Sequence, residues 1–524
     1  MRLFFLTINC LLVSYVTLFA QNWEYIGSAK THSSASNFGR SVSISDDGET
    51  IAIGAPFSSS DGDSLPFVAI YKKFGPNMIG TKIYCEDDGS ISNYAPANEF
   101  GYSVSLSKNG NTLAVGIRGA GNEGHVKIYR YIDNAWIQIG GNMKGKQRWF
   151  DRIGINHYLG FGSSVALSDN GNIVAIGAWR DDCTVVDING EPYELEDYEF
   201  KVGTDCGSIS IYQFNGNNWT QIGKDIMGSN GGDQIGKSIA LSWDGQTVAF
   251  GALNADYNGR NSGLVRVYKF INNDWSQIGK DLYGIREGDN FGISISLSQD
   301  GNTLAVGANG NDNKGTNIGQ VKVFKNIDEN WSQIGSDING QRRNDQCYSV
   351  SLSNDGKTLA VGSPFNDGEK PITGDENYGH VRVFQENANQ WLQIGKNIES
   401  GITKEFGMAL SLSGDGKTIV VSSLKRFESS APFASVVSLS EGLNKAEILE
   451  NSIHIYPNPT RYQITVSSSV EIDSYQIFNV LGKKVLSGSL TNPTIQIESL
   501  NPGTYFIVLE DKNINQTYYK KFIK

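Results

Sequence analysis

Most of the chain repeats one four-part pattern of hydrophobic and polar positions. In the copy from Trp275 to Phe324 the parts read WSQIG, ISISLS, TLAVGA and VKVF. Two parts alternate at a period of two, one is a mostly apolar run, and WSQIG is a short strand opened by an aromatic residue. None has the 3.6-residue period of a helix, so the pattern predicts a unit of four β-strands.

This unit occurs seven times. Its most regular part, the alternating strand with the apolar strand that follows it, begins at Ser41, Ser103, Ser164, Ser238, Ser294, Ser349 and Ala409. Four-strand repeats spaced about 55 to 74 residues apart indicate the blades of a β-propeller. We therefore expect an all-β chain with a seven-bladed propeller over residues 21–439.

The order of strands within a unit predicts where its loops lie. We place the Ser-rich SVSLS strands innermost, where the blades crowd around the axis, and the WxQIG strands outermost. Asp-Gly and Asn-Gly pairs such as Asp300-Gly301 then close tight hairpins at one end of the propeller. The longer, variable connections gather at the other end, where rigid scaffolds usually carry their binding surfaces.

The two ends of the repeat region complement each other. Trp23 to Gly27 is a WxQIG-type strand with no unit before it, and the seventh unit lacks such a strand after Leu439. We expect Trp23 to Gly27 to become the outer strand of the last blade, which would cover an open sheet edge.

Composition narrows location and partners. The 524 residues carry a formal net charge of −11 and no basic run, which argues against a nucleic-acid partner. Residues 1–20 combine Arg2, an apolar core and a small residue at Ala20, the pattern of a secretory signal peptide, and are too short to span a membrane. We therefore expect an exported protein.

Export also permits disulfide bonds. Cys183 and Cys206 bracket an insertion found only in the third unit. The strands that flank such an insertion start close together, so we predict a Cys183–Cys206 bridge, with two buried thiols as the alternative. Cys85 and Cys347 fall in units that are not neighbours, and we expect both to stay unpaired.

Five units carry a Phe-Gly pair before the alternating strand, and most end the next strand on Gly-Ala. With the pairs at Phe38, Phe100, Phe161, Phe291 and Phe406, the units resemble the FG-GAP repeat of integrin α-like propellers. The resemblance implies a propeller and no particular activity. Calcium-binding members carry a longer acidic DxDxDG loop, whereas the short SQDGN and SNDGK turns supply too few carboxylates for a six- to eight-coordinate ion. We predict no cofactor and no metal site, with Asn309–Gly315 and Asn366–Asn377 as acidic loops where an adventitious ion could sit.

Residues 451–524 form a separate module after a linker at 440–450. Short alternating segments, broken by Pro-Asn-Pro, Leu-Gly-Lys and Asn-Pro-Gly turns, predict a small Ig-like β-sandwich. The YPNP motif at 456–459, the GxxV pattern at 482–485, LNPGTYFI at 500–507 and the basic end resemble the C-terminal sorting domain of type IX secretion cargo. The resemblance implies the type IX machinery as a partner, and a secreted location or attachment to the outer-membrane surface.

The third unit has unusual loops on the predicted binding face. Both loops, at 143–160 and 179–207, adjoin the same blade, so their side chains can converge. Aromatic and Arg residues contribute most of the binding energy at many interfaces. The residues that we predict for recognition are Trp149, Arg152, Tyr158, Trp179 and Arg180. The alternative is that these aromatic residues only pack the insertion onto its blade.

The sequence contains no catalytic motif of the zinc-protease, CxxC, GxSxG or phosphate-loop type. His125 and His380 share a repeat position that holds Gln320 in the fifth unit, which indicates a structural role. We predict a non-catalytic, secreted or cell-surface module that binds an extracellular protein or glycan. The alternative is a secreted polysaccharide-degrading enzyme with paired carboxylates at the propeller mouth.

Overall fold

The computed structural model describes sixteen segments of the chain. They are residues 22–30, 37–57, 65–72, 80–85, 99–119, 123–146, 159–182, 205–366, 377–400, 404–424, 433–440, 454–467, 472–480, 482–490, 492–511 and 516–524. The regular elements of these segments are β-strands, so the predicted all-β class is confirmed. No described segment forms a helix with the length and apolarity that a membrane span needs.

The chain divides into two compact units. One comprises residues 23–439 and the other contains residues 440–524. Residues 1–20 and 441–450 lie outside the described segments, so the signal peptide and the linker stay predictions.

The larger unit contains, among its described residues, one antiparallel sheet for each repeat, and we number these sheets blades 1 to 7. Blade 1 comprises Val42–Ile44, Thr50–Ala55, Phe67–Lys72 and Gly80–Tyr84. Blade 2 comprises Phe100–Leu106, Thr112–Ile117, His125–Ile132, Ala135–Gln138 and Met143–Lys144. Blade 3 comprises Phe161–Leu167, Ile173–Ala178, Ser208–Phe214, Trp219–Gln221 and Ile226–Met227. Blade 4 comprises Ser238–Leu241, Thr247–Ala252, Leu264–Ile271, Asp274–Gln277 and Leu282–Tyr283.

The remaining three blades follow the same order. Blade 5 comprises Phe291–Leu297, Thr303–Ala308, Gln320–Ile327, Asn330–Gln333 and Ile338–Asn339. Blade 6 comprises Ser349–Leu352, Thr358–Ser363, His380–Asn387 and Gln390–Gln393. Blade 7 comprises Phe406–Leu412, Thr418–Ser423, Phe433–Ser440 and, as its outer strand, Asn22–Lys30. The N-terminal strand thus closes the last blade, as its sequence predicts.

The cores of the propeller lie between blades. A buried cluster joins each blade to the next, and one containing Phe38 and Val436 joins blade 1 to blade 7, so the described clusters form a closed circuit. The apolar second strands, such as Thr303–Ala308, are buried along their whole length because both of their faces pack against neighbouring blades. This burial explains their continuous apolar pattern.

The Phe-Gly pairs connect each blade to the one before it. In blade 2, Phe100 is buried, and a β-bulge follows in which Gly101 has φ of 86°. Ser41 Oγ of blade 1 donates a hydrogen bond of 2.9 Å to the carbonyl oxygen of Gly101. The same bond links Ser103 to Gly162, Ser164 to Gly236, Ser238 to Gly292 and Ser349 to Gly407. Because bulges redirect the chain, the residue after each Gly is free to point its side chain away from the inter-blade core.

The turn aspartates have the structural role that the sequence indicates. In blade 5, Asp300 Oδ1 accepts hydrogen bonds from Ser298 Oγ at 2.5 Å and from the Asn302 amide at 3.0 Å. The Ser-to-Asp or Ser-to-Asn bond recurs in all seven blades, at 2.5–3.0 Å. These oxygens therefore hold the hairpin itself.

The cysteines are buried where the structure describes them. Cys85 is 7% exposed, Cys206 is fully buried, and Cys347 is a fully buried free thiol. Burial raises the pKa of Cys347 to about 11. Cys183 lies outside the described residues, so the Cys183–Cys206 bridge stays a prediction.

The smaller unit is the β-sandwich that its sequence predicts. One sheet contains His454–Tyr456, Gln463–Ser467 and Thr494–Gln496. The other contains Ser474–Asn479, Lys484–Ser489, Thr504–Asp511 and Gln516–Ile523. Side chains of both sheets, including Ile464, Ile477 and Phe522, share one core.

Candidate functional site

The Asp-Gly end of the propeller is closed around the axis by a ring of backbone hydrogen bonds. One residue per blade donates its amide to the carbonyl of the equivalent residue in the next blade, and the last donates to the first, at 2.9–3.2 Å. The members, which we call the axial ring, are Asp46, Lys108, Asp169, Trp243, Gln299, Asn354 and Gly414.

Side chains of the axial ring bind one another across the axis. Lys108 of blade 2 lies 3.2 Å from Asp46 and 3.9 Å from Asp169, and it also donates to the side chain of Asn354 in blade 6. Asn354 in turn donates to Asp46 at 2.6 Å, and Gln299 donates to Asp169 at 2.8 Å. Charges of both signs are therefore paired within the axial ring.

A glycine completes the axial ring for a steric reason. An added Cβ at Gly414 would overlap the amide of Asn354 and the carboxyl of Asp46. The seventh repeat reads LSGDG and has Gly414 where the other six repeats have a residue with a side chain. The glycine therefore leaves room for the hydrogen bond between Asn354 and Asp46.

The loop end has a different composition. One residue per blade lies at the start of the innermost strand at this end: Arg40, Tyr102, Ser163, Lys237, Ile293, Tyr348 and Met408. Strand register places Arg118 and Trp179, which follow the second strands of blades 2 and 3, at the same end. We call Arg40, Glu99, Tyr102, Arg118, Trp179, Arg180 and Lys237 the mouth cluster.

Tyr102 lies between two guanidinium groups of the mouth cluster. Its hydroxyl accepts hydrogen bonds from Arg40 at 2.8 Å and from Arg118 at 2.9 Å. The two guanidinium carbons lie 4.6 and 4.1 Å from the centroid of its ring. Glu99, which is buried, binds Arg118 through both oxygens at 2.5 and 2.7 Å. Arg118 is thus neutralised, whereas Arg40 has no carboxylate partner among the described residues.

Trp179 contacts the other two cations of the mouth cluster, Arg180 and Lys237. Arg180 and Lys237 lie over its indole ring, with their cationic groups 4.7 and 5.6 Å from the centroid. Asp205 Oδ1 lies 3.8 Å from Nε of Arg180. Burial lowers the pKa of Lys237, and the positive charges of Arg40 and Arg118 lower it further. Arg40 belongs to blade 1 and Lys237 to blade 4, so this electrostatic effect acts between blades that are not neighbours.

The structure brings together two of the five residues predicted for recognition. Trp179 and Arg180 are half-buried and belong to the mouth cluster. Trp179 also packs against Gly160, at the end of the loop that leads into blade 3, so part of its surface does secure that loop. Trp149, Arg152 and Tyr158 lie outside the described residues.

Sequence reasoning missed Arg40, Tyr102, Arg118 and Lys237. They stand one or two to a blade and are up to about 200 residues apart, so no local cluster of charge marks them. The available signal was the position that follows Phe-Gly or Ile-Gly in six of the seven repeats, which is basic in blades 1 and 4 and varies in the others.

The described residues of the loop end show no metal-binding cluster. Among the described residues, no group of three His, Cys, Asp or Glu side chains is placed to hold a metal ion. The carboxylates of the axial ring lie at the opposite end, where burial raises the pKa of Asp169.

Solved structures with a similar fold share little sequence with this chain. Hydrazine synthase of Kuenenia stuttgartiensis is 12% identical, covers 79% of this chain and 97% of its own, and gives a TM-score of 0.47. The periplasmic gluconolactonase PpgL of Pseudomonas aeruginosa is 14% identical over 68% and 84%, with a TM-score of 0.42. The Dos1 propeller is 10% identical over 80% and 96%, with a TM-score of 0.43.

Family models recognise one part of each unit. No curated protein matches the chain. Residues 285–324 match the FG-GAP repeat, and residues 454–524 match the secretion system C-terminal sorting domain. The chain therefore carries an FG-GAP repeat and a type IX sorting domain, which indicates export to the cell exterior or the outer-membrane surface and contact with the secretion machinery.

Proposed function

We propose that the protein is a non-catalytic interaction module, which binds an extracellular protein or glycan through the loop end of its propeller. The observation that carries the proposal is the difference between the two ends. The charges of the axial ring are paired internally, whereas the mouth cluster holds cations without carboxylate partners beside half-buried aromatic side chains. Desolvated Arg and aromatic side chains are typical anchors of binding interfaces.

The sorting domain supplies the location for such a role. Cargo with this domain reaches the exterior, and its propeller then faces the surrounding medium. A rigid scaffold with variable loops at one end suits recognition there.

The carboxylates favour binding over hydrolysis. A glycosidase needs two carboxyl groups that flank the substrate, one of them free to donate a proton. Glu99 is held by Arg118 through both oxygens, and Asp46 and Asp169 are both engaged by Lys108. We expect no release of reducing ends when the full chain is incubated with extracellular polysaccharides; steady release that Glu99→Gln abolishes would favour the enzyme instead.

Binding is tested with the full chain on a glycan array and in pull-downs with defined extracellular proteins. Trp179→Ala and Arg180→Ala should each weaken the captured interaction by about tenfold, the effect of losing an anchor of roughly 1.4 kcal/mol. Trp243→Ala, which removes an exposed aromatic residue at the axial ring, is the matched control. If Trp243→Ala abolishes binding and the loop-end variants do not, the loop end is not the binding surface.

A further inference from the structure

The mouth cluster carries more positive charge than its own carboxylate neutralises. Glu99 neutralises Arg118, and Asp205 lies near Arg180. Arg40 and Lys237 have no carboxylate partner among the described residues, and they stand at the same end of blades 1 and 4, where each lies over an aromatic ring. Like charges held at one end of the propeller repel, and an anion between them would remove that cost in free energy.

The geometry holds Arg40 ready for an anion. Its guanidinium lies over the ring of Tyr102 and donates a hydrogen bond to the Tyr102 hydroxyl. The same hydroxyl accepts a hydrogen bond from Arg118. A planar guanidinium fixed in this way presents its remaining N–H groups in one orientation, and those groups match carboxylate, sulfate and phosphate oxygens.

An aromatic platform lies at the same end of blade 4. The register pairs Ser238 with Gly251, and it pairs Leu264 with both Ala252 and Tyr283, so Lys237 and Tyr283 share that end. Tyr257 stacks on Tyr283 with centroids 4.0 Å apart, and it is nevertheless 70% exposed. One face of Tyr257 is thus supported by Tyr283 while the ring stays open to solvent, an arrangement suited to the flat face of a sugar ring.

We propose that the loop end binds an acidic polysaccharide, with an anionic group of the sugar between Arg40 and Lys237 and a sugar ring on Tyr257. This inference rests on the proposed function and names its ligand class. The anion is a uronate carboxylate or a sulfate ester, since both have the oxygens that these cations require. The exposed platform favours a glycan over an acidic peptide, whose side chains offer no rigid flat ring.

The test measures dissociation constants of the full chain by calorimetry. The ligands are polygalacturonate, its methyl ester, dextran sulfate, dextran and poly-L-glutamate. Binding should occur to polygalacturonate or dextran sulfate, weaken as salt rises, and be absent for the two uncharged polymers. The comparison of polygalacturonate with dextran sulfate identifies the anion.

Variants locate the site. Arg40→Gln and Lys237→Gln should each weaken binding by about tenfold or more, as expected for loss of a hydrogen bond to a charged group. Arg40→Lys should recover part of the affinity. Tyr257→Ala should weaken binding of the polysaccharide. Lys325→Gln, which removes an exposed charge at the Asp-Gly end of blade 5, should have no effect.

Three outcomes would overturn the inference. If the chain captures a protein or a neutral glycan through Trp179 but no acidic polysaccharide, the ligand class is wrong and the proposed function stands. If poly-L-glutamate binds as tightly and Tyr257→Ala changes nothing, the ligand is an acidic peptide. If no ligand on the array, in the pull-downs or in calorimetry binds, both proposals fail.

Discussion

The two ends of this propeller are built from the same repeat and use it in opposite ways. At the Asp-Gly end, Lys108 and Asp169 bind each other through a backbone hydrogen bond and a side-chain ion pair. At the loop end, Arg40 and Lys237 precede the innermost strands of blades 1 and 4, and neither has a carboxylate partner among the described residues. The comparison teaches that one repeat can pair its charges internally at one end of the propeller and leave cations without carboxylate partners at the other end.

Deleting residues 22–30 should have the largest effect, because the differing ends depend on a closed ring. The deletion removes the outer strand of blade 7 and uncovers the edge of Phe433–Ser440. It also removes Trp23 and exposes the core residues against which Trp23 packs. We expect a loss of several kcal/mol, from ladder bonds of about 1 kcal/mol each and burial of about 2 kcal/mol for the Trp side chain. Chemical denaturation measures it, and unchanged stability would show that blade 7 closes otherwise.

Acid should destabilise the loop end through His380. Its side chain is fully buried, and neither ring nitrogen has a hydrogen-bond partner among the described residues. Burial, with Arg382 and Arg342 nearby, lowers its pKa to about 3. Between pH 6.5 and about 3 the unfolded chain binds the proton and the folded chain does not, so stability falls as pH falls. His380→Gln, which copies Gln320 of blade 5, should remove up to about 1.4 kcal/mol of this loss per pH unit. Denaturation curves at a series of pH values compare the two, and parallel pH profiles would contradict the assignment.

Lys108→Met should separate the two ends by stability. It leaves Asp46 and Asp169 near the axis without their cation, and it removes the bond to Asn354. We expect a loss of about 1–2 kcal/mol. Lys237→Met is the matched variant at the loop end, where relief of repulsion should leave stability equal or slightly higher. Thermal melts of the pair decide; equal losses would mean that the ends do not differ.

Trp179→Ala should have the smallest effect on stability. The indole is half-buried, and its contacts with Gly160, Arg180 and Lys237 lie at the rim of blade 3, outside the inter-blade cores. We expect the melting temperature to change little while ligand binding weakens. A fall of many degrees with intact binding would make Trp179 part of the packing of its loop.

The sequence predicts the strands and their order because period and repetition are strong local signals. Blades 2 to 5 each have a fifth strand of only two residues, such as Leu282–Tyr283 in blade 4. The sequence does not predict these strands, because two residues are too few to show a period. In blade 1 the outer strand is Gly80–Tyr84, which lacks the Trp that the outer strands of the other blades contain.

The candidate site was predicted only in part, for a geometric reason. Trp179 and Arg180 stand together in a conspicuous insertion, whereas Arg40, Tyr102 and Lys237 are single residues in three different repeats. Only the closed ring brings them together, and a linear pattern contains no information about which repeats face each other across the axis. The axial ring shows the same limit, since its members range from Asp to Trp and Gly.

The axial ring connects blades that share no inter-blade core. Lys108 and Asn354 reach each other from blades 2 and 6, and both bind Asp46 of blade 1. Such bonds between distant repeats form only when the ring of blades is closed, so a spectroscopic probe at Asn354 would report closure of the whole propeller rather than folding of blade 6 alone.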